Sequence, residues 1–209
     1  MTDVAIDHAV DWLGSGGLLA YPTETVWGLG ADARSDRALA RLRAFKGRSD
    51  TAPISILVTG AGALGALGFR LDAAAERLAR DFWPGPLTLV LRCEGAFAAG
   101  LARADGAVGV RCSPHVVAGE LAARCERAAV GPLTATSCNA SGTPAARTRA
   151  AARRVCGGDP LVRVISDGVD ADGELPSTVV DLTRARPRVL RWGALPESAL
   201  RPVLDELAA

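Results

Sequence analysis

The 209-residue chain is predicted to fold as an α/β (α+β) domain built on one large, mixed, twisted sheet with flanking helices. Three observations carry that reading. Short apolar, β-branched stretches alternate with segments of helical spacing. Some neighbouring strand candidates have no helix between them, so the sheet is not wholly parallel. No internal repeat and no Pro- or Ser-rich linker interrupts residues 1–209, which read as a single domain.

The elements follow in order. A helix is expected over Asp3–Leu13 and a strand over Leu18–Tyr21, ended by Pro22, which has no N–H to give to a ladder. Ala38, Leu39, Leu42 and Phe45 share one helix face behind a Ser35 cap, and Gly47 stops the run. Ile54–Val58 is the next strand. Ala75, Leu78, Ala79 and Phe82 repeat the helical spacing after Asp72 and end at Pro84-Gly85-Pro86. Strands are then expected at Leu87–Cys93, Ala107–Cys112, Leu133–Ser137, Leu161–Ile165, Thr178–Leu182 and Val189–Arg191. Helices are expected at His115–Cys125, Arg149–Cys156 and Glu197–Leu207.

Composition excludes several classes. Apolar residues make up 49% and charged residues 22%, the balance of a folded chain in water. Basic and acidic residues nearly cancel, 24 against 23, which argues against a protein whose main task is gripping a nucleic-acid backbone. The five cysteines (Cys93, Cys112, Cys125, Cys138, Cys156) contain no C-x-x-C pair, and only His8 and His115 accompany them. No metal site of finger-like spacing is therefore expected. The odd cysteine count and the acidic start carrying Asp3, Asp7 and Asp11 point to a reducing, cytoplasmic setting rather than export. No apolar run reaches the roughly 18 residues a bilayer span requires, so no membrane partner is expected.

One oddity of usage is informative. The basic residues are 23 arginines and one lysine, Lys46, and the only asparagine is Asn139. A residue type that survives once can survive because its substitute fails there. Lysine offers a compact charge able to release a proton, whereas arginine is a broad fork that stays charged.

No G-x-x-x-x-G-K-[ST], strand-linked G-x-G-x-x-G or G-x-S-x-G segment is present, which removes the P-loop, Rossmann and hydrolase-elbow readings. Polar clusters stand at strand ends instead. Tyr21-Pro-Thr-Glu-Thr-Val-Trp-Gly-Leu-Gly30 leaves Thr23, Glu24 and Thr25 at the carboxyl end of a strand, where open sheets bind ligands. Lys46-Gly-Arg48 sets two cations across a glycine, able to converge on one polyanion. Thr136-Ser-Cys-Asn-Ala-Ser-Gly142 offers hydroxyls, an amide and backbone N–H groups to a phosphate or carboxylate. Each alone is also what a helix cap or a solvated helix end looks like. Arg111, Ser177-Thr178 and Arg191 before Trp192-Gly193 complete the set.

In this order and spacing the clusters resemble the YrdC/TsaC family of threonylcarbamoyl-AMP synthases, of the short, single-domain bacterial type. The resemblance runs from about Leu18 to Gly193. It includes Y-P-T-E-T-V-W-G-L-G at 21–30, K-G-R at 46–48, F-W-P-G-P-L-T-L-V-L at 82–91 and V-G-V-R at 108–111. T-S-C-N-A-S-G at 136–142, S-T-V-V-D at 177–181 and L-R-W-G at 190–193 complete it. It implies a YrdC-like sheet curved around a large concave cavity, and conversion of L-threonine, bicarbonate and ATP, carried with Mg²⁺, to threonylcarbamoyl-AMP and pyrophosphate. A partner enzyme would pass the threonylcarbamoyl group to tRNA, through transient contacts.

Site roles are implied by position in the same motifs. Lys46, Arg48, Ser137 and Asn139 match the family's catalytic tetrad. Arg48, Ser137 and Arg191 would contact ATP, while Thr25, Arg111, Ala135 and Ser177 would hold threonine. The chain departs from the family pattern at Cys138, in place of the usual alanine, and at Ala52, Leu57, Ala107 and Ala145, where longer polar side chains often contact substrates. Two rival readings follow: a YrdC-like paralogue acting on another carbamoyl or acyl adenylate, and a non-catalytic RNA-binding module.

Overall fold

The predicted single sheet is divided in two. The computed structural model describes residues 3–47, 54–171 and 173–208, so Arg48 and Ala52 lie outside the described residues. Its first half contains β1 (Asp3–Val4), α1 (Ile6–Gly14), β2 (Leu18–Tyr21), β3 (Gly28–Gly30), α2 (Asp36–Lys46), β4 (Ser55–Leu57) and α3 (Ala73–Phe82). There follow β5 (Leu87–Arg92), β6 (Ala107–Arg111), α4 (Val116–Arg127), β7 (Thr136–Ser137) and α5 (Arg149–Cys156). The last elements are β8 (Val162–Ile165), β9 (Thr178–Asp181), β10 (Arg188–Arg191) and α6 (Glu197–Ala208).

One five-stranded sheet runs β1-β8-β2-β3-β7 and the other β10-β9-β5-β6-β4, and both mix parallel with antiparallel pairs. The reason for the division is visible in the segment expected as one strand over Leu133–Ser137. Its hydrogen bonds are shared between the sheets. Leu57 N donates to Leu133 O and Ala135 N to Ser55 O, both at 2.7 Å, while Thr134 N donates to Ala31 O at 2.9 Å. Only Thr136 and Ser137 remain to pair with β3. The segment therefore stitches β4 to the first sheet instead of extending a ladder.

Helix boundaries follow local chemistry. Ser35 Oγ accepts from Ala38 N at 3.2 Å at the start of α2, and Gly47 ends it in the left-handed conformation at φ 59°. Asp72 Oδ1 accepts from Ala75 N at 2.8 Å at the start of α3. The expected first helix begins three residues late, because Asp3 and Val4 pair with β8. The apolar faces of the helices and the inward residues of both sheets, among them Leu13, Leu19, Leu39, Leu42, Ile56, Leu89, Val110, Leu121, Val164 and Val180, form one buried core. Burial of each side chain of this size contributes about 1.5–3 kcal/mol.

Candidate active site

Alternation along the second sheet builds the floor of a cleft. Strand side chains point to opposite faces at a period of two. Ile56, Leu89, Val108, Val110 and Val180 go to the core, so Ser55, Leu57, Thr88, Val90, Ala107, Gly109, Arg111, Ser177 and Val179 are left on the other face and line the cleft. Leu57, Arg111, Thr88 and Val179 lie side by side across four strands. Gly109 keeps the floor low, since a Cβ there would stand 2.4 Å from Ser55 Oγ. Tyr21, Thr23, Val26, Trp27 and Gly28 line it from the first sheet's side, together with Ala135, Thr136 and Ser137. The cleft has a cavity volume of about 230 Å³ and opens to solvent at its mouth.

At one end sits Lys46, the last residue of α2 and only 4% exposed. Its Nζ donates to Ser137 O at 2.5 Å, Asn139 Oδ1 at 2.8 Å and Asn139 O at 3.1 Å. Ser137 Oγ also donates to Asn139 Oδ1, at 2.7 Å, and Ser141 N donates to Lys46 O at 2.9 Å. The ammonium thus braces the Ser137–Asn139 turn. Of these three residues Ser137 lines the cleft, and the other two support it. Cys138 points away, into the core, 4.0 Å from Cys156 Sγ. Its replacement of the family's alanine therefore leaves the cleft-facing side of the turn unchanged.

Arg111 occupies the floor at 7% exposure. Nη2 donates to Thr25 Oγ1 at 2.6 Å and Glu24 Oε1 at 2.7 Å, while Nε is buried and has no partner among the described residues. Such an unspent buried donor costs free energy unless something accepts from it. Nearby, Ser177 Oγ and Thr88 Oγ1 are 2.8 Å apart, and Arg191 holds the Ser177 carbonyl through Nη2 at 2.8 Å and Nε at 3.1 Å. Trp27, fully buried in the wall, also has a donor, Nε1, with no partner among the described residues. The Tyr21 hydroxyl donates to Thr134 O at 3.0 Å, and burial pushes its pKa well above the ordinary phenol value.

The structure brings Arg111, Ala135, Ser137, Ser177 and Arg191 to one cleft, and sets Lys46 and Asn139 against Ser137. Thr25 stands elsewhere: it is fully buried, is not part of the lining, and bonds to Arg111 rather than opening toward a ligand. Leu57 and Ala107 are in the lining, whereas Ala145 is not. Sequence reasoning omitted Thr88, Ser113 and Arg103. Thr88 was findable, because it breaks an otherwise apolar alternation from Leu87 to Leu91. Arg103 lines the cleft from a loop, clamped by Asp105 and Asp181, and no periodicity marks such a position.

A mixed α/β frame around a cleft furnished with a buried guanidinium, hydroxyls and a lysine-braced turn defines a binder of small anionic ligands. The family model Sua5/YciO/YrdC, described as "Telomere recombination", matches residues 11–193, and the chain belongs to that family. It is 39% identical over 204 residues to a Mycobacterium leprae protein, covering 98% of this chain and 90% of the relative, whose name assigns it threonylcarbamoyl-AMP synthase activity provisionally. It is 38% identical over 175 residues to the threonylcarbamoyl-AMP synthase of Xanthomonas campestris, covering 81% of this chain and 86% of that one. The crystal structure of Pyrococcus abyssi Sua5 complexed with L-threonine superposes with a TM-score of 0.86 at 34% identity, over 95% of this chain and 56% of that one.

Proposed function

We propose that this chain is an L-threonylcarbamoyladenylate synthase, a nucleotidyltransferase that converts L-threonine, bicarbonate and ATP to threonylcarbamoyl-AMP and pyrophosphate, with residues 1–209 acting as one YrdC-like domain. The observation that carries the reading is the buried Arg111 guanidinium in the cleft floor, clamped on one side by Glu24 and Thr25, which suits an amino-acid carboxylate. Ser177 and the backbone at Ala135 complete the threonine site, and Thr25 contributes by holding Arg111. Ser137 and Arg191 face the nucleotide, and Arg48 takes a nucleotide-contacting role by its place in the K-G-R motif. Lys46 and Asn139 fix the Ser137 turn and place positive charge beside the phosphates.

The chemistry matches these groups. The threonine amine and bicarbonate lose water to form a carbamate, whose oxygen attacks the α-phosphorus of ATP as pyrophosphate leaves. Negative charge develops on the phosphoryl oxygens, and preorganised cations and donors lower that barrier. Among the described residues no group of three or more His, Cys, Asp or Glu is arranged to hold a metal. Mg²⁺ therefore enters the proposal only as the companion of the substrate triphosphate. No helix of the described residues is long and apolar enough to cross a membrane. The product would pass in the cytoplasm, by transient contact, to the enzyme that transfers it to tRNA.

Pyrophosphate release tests the reading, with threonine and bicarbonate each omitted in turn. Release only when all three substrates are present is expected; equal release without threonine overturns it. Leu57 and Ala107 in the cleft lining favour one second reading, a paralogue acting on another carbamoyl or acyl adenylate. Replacing threonine by other amino acids in the same assay separates the two.

A further inference from the structure

Arg111 is gripped chiefly by Glu24 and Thr25, which do not line the cleft. Besides Glu24 Oε1 and Thr25 Oγ1, its Nη2 reaches Thr23 Oγ1 at 3.5 Å. The second Glu24 oxygen accepts from the Ser113 hydroxyl, and Ser113 Oγ accepts from His115 N at 3.2 Å, where α4 begins.

The protons in this cluster can be assigned. Thr23 Oγ1 donates to Val26 O at 2.7 Å, which commits its only proton. Thr25 Oγ1, 2.9 Å from Thr23 Oγ1, must then donate to it, and keeps only lone pairs for Arg111. Thr23 Oγ1 also accepts from Thr25 N at 3.2 Å, so Thr25 Oγ1 and Glu24 Oε1 are the acceptors set for the two Nη2 protons. Gly173 packs directly against the Glu24–Thr25 backbone, where a Cβ would stand 2.7 Å from Glu24 O and Thr25 Cα. Meanwhile Arg111 Nε has no partner, and Nη1 makes no hydrogen bond among the described residues.

We propose that Glu24 is the positioning residue for the amino-acid substrate. With Ser113 it anchors Arg111 by Nη2, so that the guanidinium keeps one orientation in the cleft floor and Nη1 is left for the threonine carboxylate. This rests on the synthase reading above. Arg111 is buried and Glu24 largely so, with side-chain exposures of 9% and 14%. A buried guanidinium needs a standing counter-ion, and Glu24 supplies it before substrate arrives. Substrate then meets an arginine already oriented, and the benefit falls on threonine rather than on ATP.

The test is threonine binding by calorimetry, together with threonine and ATP KM values, for Glu24→Gln, Glu24→Ala and Ser113→Ala. Glu24→Ala is expected to weaken threonine binding about tenfold or more, with a smaller loss for Glu24→Gln and Ser113→Ala, while the ATP KM stays within about twofold. Adding Glu24→Ala to Arg111→Ala is expected to change threonine binding by less than about twofold, because the effect runs through Arg111. Should Glu24→Ala fail to fold, Glu24→Gln and Ser113→Ala decide the question. Wild-type threonine affinity in both of those, equal losses for ATP and threonine, or a full additional loss on the Arg111→Ala background would each overturn the proposal. Failure of the wild-type chain to bind threonine is a different result, and it removes the synthase reading itself.

Discussion

Lys46 shows what a single atom position demands. Its Nζ is bonded to Ser137 O, Asn139 Oδ1 and Asn139 O, in a place that is 4% exposed. A point ammonium can converge on acceptors so placed; a planar guanidinium carries its donors farther out and in one plane. Lys46→Arg is therefore expected to fold yet lose on the order of 10²-fold in kcat/KM for pyrophosphate release, as when a preorganised charge is displaced. Full activity in that variant would refute this account. Cys138 is the contrasting case. Its thiol points to Cys156, and its backbone holds the turn through Cys138 N to Trp27 O at 2.8 Å and Ala146 N to Cys138 O at 3.0 Å. Cys138→Ala is expected to leave kcat/KM at the wild-type level. Usage alone marked Lys46 and Asn139 as singletons. That they share a hydrogen bond could not be read from a chain in which 93 positions separate them.

Among the elements, legibility depended on how local the determining forces were. The four helices α2 to α5 start within a residue or two of where their spacing and caps put them, because capping and amphipathic burial act within a few turns. β3 was not visible, since Gly28, Leu29 and Gly30 carry almost no strand propensity. Its glycines are required by packing: a Cβ on Gly28 would lie 2.9 Å from Tyr21 Cζ, and one on Gly30 2.4 Å from Leu133 Cδ1. The same logic governs the turn after β10. Gly193 N donates to Thr178 Oγ1 at 2.8 Å, and a Cβ there would stand 2.1 Å from Pro176 O. Gly193→Ala is expected to cost about 1–3 kcal/mol, lowering Tm by about 2–4 °C per kcal/mol for a chain of this size. Because the displaced backbone is that of Pro176 and Ser177, threonine binding measured by calorimetry should weaken too.

At the scale of the molecule, charge clamps tie distant segments together. Arg103 donates through Nε and Nη2 to both Asp105 oxygens and through Nη1 to Asp181 at the end of β9. Those hydrogen bonds hold the Asp105 carboxyl down at about 2. Burial alone would raise Asp181, but hydrogen bonds from Arg103 and Thr183 keep it below the usual carboxylate value. Carboxyls depressed in the folded state stabilise it fully above their unfolded pKa, and that contribution is lost as pH falls below it toward the folded value. Calorimetric melting from about pH 5 down to about pH 2 should show a falling Tm, and Asp181→Asn should make the fall shallower. Threonine at about 100 times its Kd should stabilise the wild type by about 2.7 kcal/mol, with a much smaller shift in Arg111→Ala.

Local order, the two-residue alternation of the floor strands and the identity of the polar clusters were inherent in the chain, because each depends on neighbours a few residues apart. Division of the strands into two sheets was decided by tertiary contacts: residues 133–137 satisfy backbone groups of Ser55, Leu57 and Ala31 as well as β3, and no local preference specifies such sharing. The buried state of Arg111 has the same origin. A guanidinium is held in a cleft floor only where a carboxylate and two hydroxyls from a turn 86 to 88 positions away in the chain meet it, and only packing of the two sheets brings them there.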